Sequence, residues 1–174
     1  DSEELSNLDI DLIFFDTYKG NSGGNISYDT IEWFVEGGGT FSITDADNKY
    51  LYQFTPGVDG FSYISGGFLQ NADFYNLTGD EYVDTGVYKV NNQTLDEGTS
   101  TFHGTVDKST LPVDVNLVAH ADGDESKVGA FYYEYGEGDV FVNTIPGSYY
   151  LNREDSTTGH NDFFKSFIAH QAGL

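Results

Sequence analysis

The first 44 residues constrain the fold most, because they combine a strand, a helix and a second strand. Residues 9–15 begin with alternating polarity and end as a continuous apolar run, which is typical of a strand buried on both faces. Ser27 is suited to cap a helix start, and Gly37 to the left-handed position after its end. Residues 40–44 predict the second strand, so the segment reads as a βαβ unit. Three apolar residues at helical spacing mark the buried helix face: Ile31, Phe34 and Val35.

Regular patterns are weaker in the middle of the chain and return near its end. Residues 49–113 are rich in Gly, Tyr, Asn and Asp, with a helix expected near 49–54 and short strands near 82–90. The remaining predicted elements are a strand at 115–120, an antiparallel pair at 127–135 and 139–145, and a final helix at 161–170. No repeat or linker interrupts this order, so residues 1–174 are predicted to form a single domain.

Charge and composition exclude several classes of function. The chain has 29 acidic and 7 basic residues, a net charge of -22, which disfavours binding to nucleic acid and to anionic lipid. It contains no Cys, so disulfides, thiolate metal sites and cysteine nucleophiles are excluded. No apolar run approaches the roughly 18 residues that a membrane-spanning helix needs. We therefore expect no nucleic-acid partner and no membrane insertion.

Three Asn-x-Ser/Thr sequons bear on the location of the protein. They begin at Asn25, Asn76 and Asn92, and none has proline at its middle position. Position 1 is not Met, which predicts that a signal peptide has been removed. These features predict an extracellular or cell-surface glycoprotein, and the acidity is attributed either to a high-salt habitat or to a calcium-containing medium.

Two stretches of the chain resemble the class I glutamine amidotransferase-like superfamily. Residues 11–16 with 31–40 match its strand, helix and Gly-Gly turn, and residues 135–143 with 161–168 match its Gly-x-Gly hairpin and closing helix. The resemblance implies a flavodoxin-like α/β three-layer sandwich with a mostly parallel sheet and a C-terminal β-hairpin plus helix. The family's first strand and helix are missing before Asp9. Its Cys nucleophile is also missing, so the resemblance points to a non-catalytic branch and carries no activity over.

Two acidic sets are candidate metal ligands. Asp45 and Asp47 follow the second strand, and Asp122 and Asp124 follow the strand that ends at His120. Calcium takes six to eight oxygen ligands and accepts irregular loops, so calcium is the cofactor that these sets favour. In an open α/β sheet the strand ends meet in one crevice, where Asp16, Asp45 and His120 are expected to converge. The alternative is that these acids form turns and an acidic surface.

Other chemistry has weaker support in the sequence. A serine elbow of the form Gly-x-Ser-x-Gly is absent around both Ser62 and Ser148. A pair of carboxylates for glycoside hydrolysis can always be found in so acidic a chain. Five tyrosines are candidates for a sugar-stacking platform: Tyr132, Tyr133, Tyr135, Tyr149 and Tyr150.

The sequence favours a non-catalytic structural protein over an enzyme. Its predicted role is binding or assembly with other protein chains or glycans, with homo-oligomers as one form of assembly. The alternative is a hydrolase acting on carbohydrate or peptide through carboxylates or a bound metal at the strand ends. Convergence of acids and a histidine at the strand ends would favour the hydrolase, whereas their dispersal over the surface would favour the binding domain.

Overall fold

The fold is described by a computed structural model that covers residues 10–17, 26–64, 69, 71–76, 80, 83, 88, 90–91, 101–112, 114–151 and 159–171. In these residues the strands are β1 (Leu12–Asp16), β2 (Thr40–Thr44), β3 (Tyr63–Ile64), β4 (Ala72–Phe74), β5 (Thr105–Asp107), β6 (Asn116–Ala121), β7 (Asp124–Tyr135) and β8 (Gly138–Asn143). The helices are α1 (Tyr28–Glu36), α2 (Asn48–Phe54), α3 (Gly147–Leu151) and α4 (Gly159–Gln171), and a short 3-10 turn covers Lys108–Thr110.

All the strands belong to one mixed sheet, whose main path runs β1-β2-β8-β7-β5-β3. Only β1 with β2, and β2 with β8, are parallel pairs. The other pairings are antiparallel, and β4 joins through β6, which pairs with β7. The long strand β7 therefore has β6 along one edge, while β8 and β5 share the other.

The predicted flavodoxin-like, mostly parallel sheet is wrong, because most of the strand pairs are antiparallel. A parallel pair of consecutive strands needs a long crossover connection. Helix α1 forms that connection between β1 and β2, as the sequence pattern predicted. Between β2 and β8 the described part of the chain forms α2 and the antiparallel strands β3 to β7 instead. The βαβ unit and the hairpin of β7 with β8 are confirmed, but the middle of the chain extends the sheet in the antiparallel sense.

The core lies on both faces of the sheet. Helices α1 and α2 pack on one face through residues such as Ile31, Val35 and Leu51. On the other face α3 and α4 contribute Tyr150, Phe163 and Phe167. Alternation along β8 serves both sides, since Val140 and Val142 face the first cluster and Phe141 the second.

The ends of α1 follow the sequence closely. The Ser27 hydroxyl accepts a hydrogen bond from the Thr30 N–H at 3.3 Å, which confirms Ser27 as the N-cap. Gly37, however, has φ -86°, and the left-handed residue is Gly38 at φ 101°, so the predicted position is wrong by one residue.

Replacing Ser27 by Ala should lower the free energy of unfolding by about 1 kcal/mol, because α1 loses its side-chain cap. Chemical denaturation of the two proteins measures this difference. Ser27→Asp is the matched control, since it keeps a capping oxygen and should retain most of the stability. Equal destabilisation by Ala and Asp would contradict a capping role.

Candidate functional site

The ends of the three parallel-paired strands bring polar residues together at one edge of the sheet. Asp16 ends β1, Asp45 directly follows β2, and Thr144 directly follows β8. The Thr44 hydroxyl donates to Asp16 Oδ2 at 3.0 Å, and the Thr17 hydroxyl donates to the Asp45 carbonyl at 2.6 Å. The predicted convergence of Asp16 and Asp45 is therefore confirmed, as expected for the carboxyl ends of neighbouring parallel strands.

The centre of this cluster is a carboxylate–histidine pair. Asp45 Oδ1 contacts His103 Nδ1, with side-chain exposures of 9% and 20% respectively. Asp45 has φ 55°, a left-handed conformation that costs a non-glycine residue roughly 1–2 kcal/mol. Contact through Nδ1 leaves the imidazole presenting its Nε2 edge away from the carboxylate. Such an arrangement fixes the tautomer and orientation of a histidine that acts as a base.

The surroundings of Asp45 act on its carboxyl in opposite directions. Burial raises the pKa of Asp45 above its ordinary value of 3.8, and the hydrogen bond and charge of His103 act to lower it. The carboxylates of Asp16 and Asp47 add a smaller upward contribution to the Asp45 pKa. The site is thus acidic and partly desolvated, conditions under which functional groups have perturbed pKa values.

His103 is held in place through its backbone. Its N–H donates to the Thr144 carbonyl at 3.1 Å, and its carbonyl accepts from the Tyr63 hydroxyl at 3.0 Å. Burial, with the nearby charges of Asp47 and Asp45, raises the pKa of Tyr63 to about 12, so this hydroxyl remains a donor. Gly104 follows His103, and a Cβ at this position would lie 2.1 Å from the Tyr63 hydroxyl oxygen, so a larger residue would displace the Tyr63 side chain.

Two other acids at this edge have local structural roles. Asp16 Oδ2 accepts from the Ser148 N–H at the start of α3, in addition to the Thr44 hydroxyl. Asp47 Oδ1 accepts from the Tyr50 N–H at 3.1 Å, so Asp47 caps the start of α2. The observed contacts of both residues are those of a turn-forming or capping acid, which was the alternative to metal binding.

The second predicted metal set forms the turn between β6 and β7. Asp122 and Gly123 have φ 54° and 69°, the pattern of a type I′ hairpin. Asp124 Oδ1 accepts from the Ser126 N–H at 3.0 Å and from its hydroxyl at 2.6 Å. The bonds from Ser126, followed by Lys127, lower the pKa of Asp124. The contacts of Asp122 and Asp124 are thus those of a hairpin turn.

Within the described ranges no group of three or more His, Asp or Glu side chains is arranged to hold a metal ion. Calcium binding by Asp45, Asp47, Asp122 and Asp124 stays a prediction that no observation tests.

His120 was the wrong histidine for this cluster. It lies in β6 opposite Asp73 of β4, and its ring packs edge-on against Tyr75 with 4.7 Å between centroids. His103 instead arrives from the segment before β5, where no periodic pattern marks it.

His160, at the start of α4, is a buried structural histidine. Its ring stacks on Tyr150 with 3.9 Å between centroids, and Nε2 lies 3.2 Å from the Thr101 hydroxyl. Burial lowers the pKa of His160 from 6.5 to about 4. It therefore stays neutral in the folded protein at pH values where the unfolded chain takes up a proton.

This difference predicts an acid-sensitive stability. A lowered folded-state pKa for a base means that the unfolded state binds more protons between pH 6.5 and 4, so stability falls as the pH falls. The loss attributable to His160 should reach about 3 kcal/mol at pH 4. Urea unfolding of the wild type and of His160→Phe, which keeps a ring against Tyr150, measures it. Parallel pH profiles for the two proteins would contradict the assignment.

The remaining predicted sites are partly outside the described residues. Asn25 and Asn92 lie there, and Asn76 is exposed after β4, so glycosylation at these sequons stays a prediction. Of the five tyrosines in the proposed sugar platform, Tyr132, Tyr133 and Tyr150 are buried in the core. The Tyr135 hydroxyl bonds Glu32 Oε1 at 2.7 Å. Three of the five rings are therefore inaccessible for stacking on a sugar.

Comparison with known proteins identifies a shared fold. No protein-family model matches the chain, and no curated protein matches it. Cytoplasmic protein STM3548 from Salmonella typhimurium has a TM-score of 0.55 at 12% identity, over 97% of this chain and 73% of that chain. Cytoplasmic protein STM1381 from Salmonella typhimurium LT2 has a TM-score of 0.50 at 13% identity, over 97% and 74%. A β-galactosidase from Rahnella sp. R3 gives 0.42 at 15% identity, over 95% and 22%.

These comparisons correct the predicted location. Both Salmonella proteins are named as cytoplasmic, which contradicts an extracellular or cell-surface protein. Nothing in the comparisons supports a glycoprotein or a calcium-binding protein. The resemblance to the amidotransferase-like superfamily is tested by none of them and stays a prediction. In the described part of the chain, every helix is too short or too polar to cross a bilayer.

Proposed function

We propose that this chain is a hydrolase whose general base is His103, oriented by Asp45. The observation that carries the proposal is the contact of His103 Nδ1 with a buried carboxylate on left-handed backbone. Burying a charge and straining a backbone both cost stability, and such costs concentrate at functional sites. Asp16 and Asp47 bond backbone N–H groups at helix starts, whereas the Asp45 side chain contacts the His103 imidazole.

The chemistry open to this pair is proton abstraction from water. A histidine held through Nδ1 can take a proton at Nε2 as water attacks a substrate, and can return that proton to the leaving group. Its carboxylate partner stabilises the imidazolium that forms in between. No covalent intermediate is required, which agrees with the absence of Cys and of a serine elbow. The acidic surroundings favour neutral or cationic substrates over anionic ones.

A substrate screen tests the proposal. Purified protein is assayed against p-nitrophenyl glycosides and peptide p-nitroanilides, the two classes that the sequence left open, with calcium and with a chelator. We expect one class to be hydrolysed by the wild type and by His120→Gln, but not by His103→Gln. His120→Gln is the matched control, because it removes a buried histidine from outside the site. Equal rates for His103→Gln and the wild type would refute the role of His103.

A second candidate is the non-catalytic binding or assembly domain. It is supported by Trp33 of α1 and Tyr52 of α2, which are 44% and 43% exposed on the two helices that cover one face of the sheet. Exposed aromatic residues are enriched in interfaces between proteins. This function would make the Asp45–His103 pair a structural contact.

Light scattering separates the two candidates. The molar mass is measured at low salt and again after calcium is added, for the wild type and for Trp33→Ser. A homo-oligomer that Trp33→Ser dissociates would favour the assembly domain. A monomer under both conditions, together with His103-dependent hydrolysis, would favour the enzyme.

A further inference from the structure

We infer that Thr17 and Thr144 are positioning residues that hold Asp45 and His103 in the relative position that their contact requires. The inference rests on the proposed function, because it concerns how the same pair is oriented. Each threonine directly follows a parallel-paired strand: Thr17 follows β1 and Thr144 follows β8. Both are buried, with 2% exposure. Neither was a candidate from the sequence.

Thr17 holds the Asp45 side of the pair. Its hydroxyl lies 2.6 Å from the Asp45 carbonyl and 3.1 Å from the Thr44 carbonyl, and its N–H donates to the same Thr44 carbonyl at 3.1 Å. These bonds fix the two peptide groups that flank Asp45, the residue with positive φ. A left-handed aspartate persists only where surrounding contacts determine it. Thr17 supplies such contacts from the neighbouring strand.

Thr144 holds the His103 side. Its hydroxyl donates to the Gly104 carbonyl at 2.7 Å, and its own carbonyl accepts from the His103 N–H at 3.1 Å. The peptide groups before His103 and after Gly104 are thus fixed to the end of β8. The Asp45 N–H and the Ala46 N–H meanwhile bond the Ile145 and Asn143 carbonyls. Residues 143–145 at the end of β8 therefore contact both the His103 backbone and the Asp45–Ala46 backbone.

This geometry predicts an effect beyond general stability. A hydroxyl-to-methyl change leaves the volume of a buried threonine nearly unchanged but removes the bond that sets the angle of its partner's peptide. Small misplacements of a catalytic group cost activity far out of proportion to their effect on folding. Both Thr17→Val and Thr144→Val should therefore disturb the imidazole while the protein remains folded.

The test uses the imidazole N–H signal of His103, assigned by its loss in His103→Gln, in NMR spectra of labelled full-length protein. A proton shared with a carboxylate is expected as a protected downfield signal. We expect Thr17→Val and Thr144→Val to shift or lose it, and Thr17→Ser and Thr144→Ser to restore it. Thr55→Val is the matched control, because its buried hydroxyl has no hydrogen-bond partner in the described structure. Circular dichroism verifies that each variant is folded.

The outcomes distinguish this inference from the proposed function. If Thr17→Val and Thr144→Val keep the wild-type signal while hydrolysis depends on His103, the positioning role is refuted and the proposed hydrolase function is still supported. If the NMR signal depends on both threonines but no substrate is hydrolysed, the positioning role is supported and the proposed hydrolase function is refuted. If the wild type hydrolyses a substrate, Thr17→Val and Thr144→Val should lower kcat at least tenfold with little change in KM. If one of these two Val variants unfolds, the other Val variant with its Ser counterpart tests the inference.

Discussion

The Asp45→Asn variant is expected to hydrolyse substrate roughly a hundred- to ten-thousand-fold more slowly than the wild type, the range that general-base catalysis contributes. Asn keeps the shape of the side chain but removes the charge that stabilises the imidazolium, and its amide can present an N–H to His103 Nδ1, which selects the wrong tautomer. Asn also tolerates positive φ, so the backbone at φ 55° need not rearrange. The measurement is kcat on the substrate that the screen identifies.

The same variant should be more stable than the wild type at neutral pH. Burial raises the pKa of Asp45, so the native state holds its proton more tightly than the unfolded state does. Stability from such a group is present at low pH and is lost as the pH rises through the folded-state pKa. Asn removes this loss, and its advantage in free energy of unfolding should shrink as the pH falls toward 3.8. Functional sites commonly exchange stability for activity in this way.

The control for this prediction is Asp47→Asn. Asp47 lies at the same edge, where it caps the start of α2, and Asn is as good a cap as Asp. Asp47→Asn should therefore keep most of the activity and most of the stability. If both variants lost activity equally, the effect would come from the total negative charge of the site, and the special role of Asp45 would be refuted.

Replacing Phe141 by Ala should lower the free energy of unfolding by about 4 kcal/mol, within the range measured for buried aromatic residues. Phe141 is 1% exposed in the middle of β8. Its ring lies 4.5 Å from Phe167 and 6.3 Å from Phe163, centroid to centroid, so it joins the sheet to α4. The loss combines the apolar transfer free energy with a cavity that the rings of Phe163 and Phe167 cannot fill. Denaturant titration of both proteins measures it.

Ile168→Ala provides the comparison on the same helix. Ile168 is 41% exposed on α4, so its truncation should change the free energy of unfolding by no more than about 0.5 kcal/mol. Phe141→Leu should fall between these values, because it keeps part of the buried volume. A loss below about 1 kcal/mol for Phe141→Ala would show that α4 is not packed on β8 as described.

The sequence predicted local elements better than their assembly. The βαβ unit, the final hairpin and α4 all carry strong periodicity, and all three are present. Strands β3, β4 and β5 have two or three residues each, too few for a period to be recognised. Their pairing with β5, β6 and β7 is decided by contacts distant in sequence. Local sequence patterns therefore could not predict that most of these strands pair in the antiparallel sense.

The site was predicted in part for the same reason. Asp16 and Asp45 follow predicted parallel strands, and a rule about strand ends was enough to bring them together. His103 belongs to a segment whose position depends on Thr144 and Tyr63, and neither contact leaves a trace in the local sequence. His120 lies in a strand near its end as well, but that strand, β6, is on the far side of β7 from β8.

The pairing of β2 with β8 has a consequence for synthesis on the ribosome. Thr40 pairs with Asp139, about 100 residues later, and such distant pairings form slowly because the intervening chain must first be closed into a loop. A nascent chain that has not yet reached β8 already contains both Asp45 and His103. It lacks the strand that brings them together, and it exposes the unpaired backbone edge of β2 to chaperones and to other unfinished chains. The contact between Asp45 and His103 should therefore form late, only after β8 has been released from the ribosome.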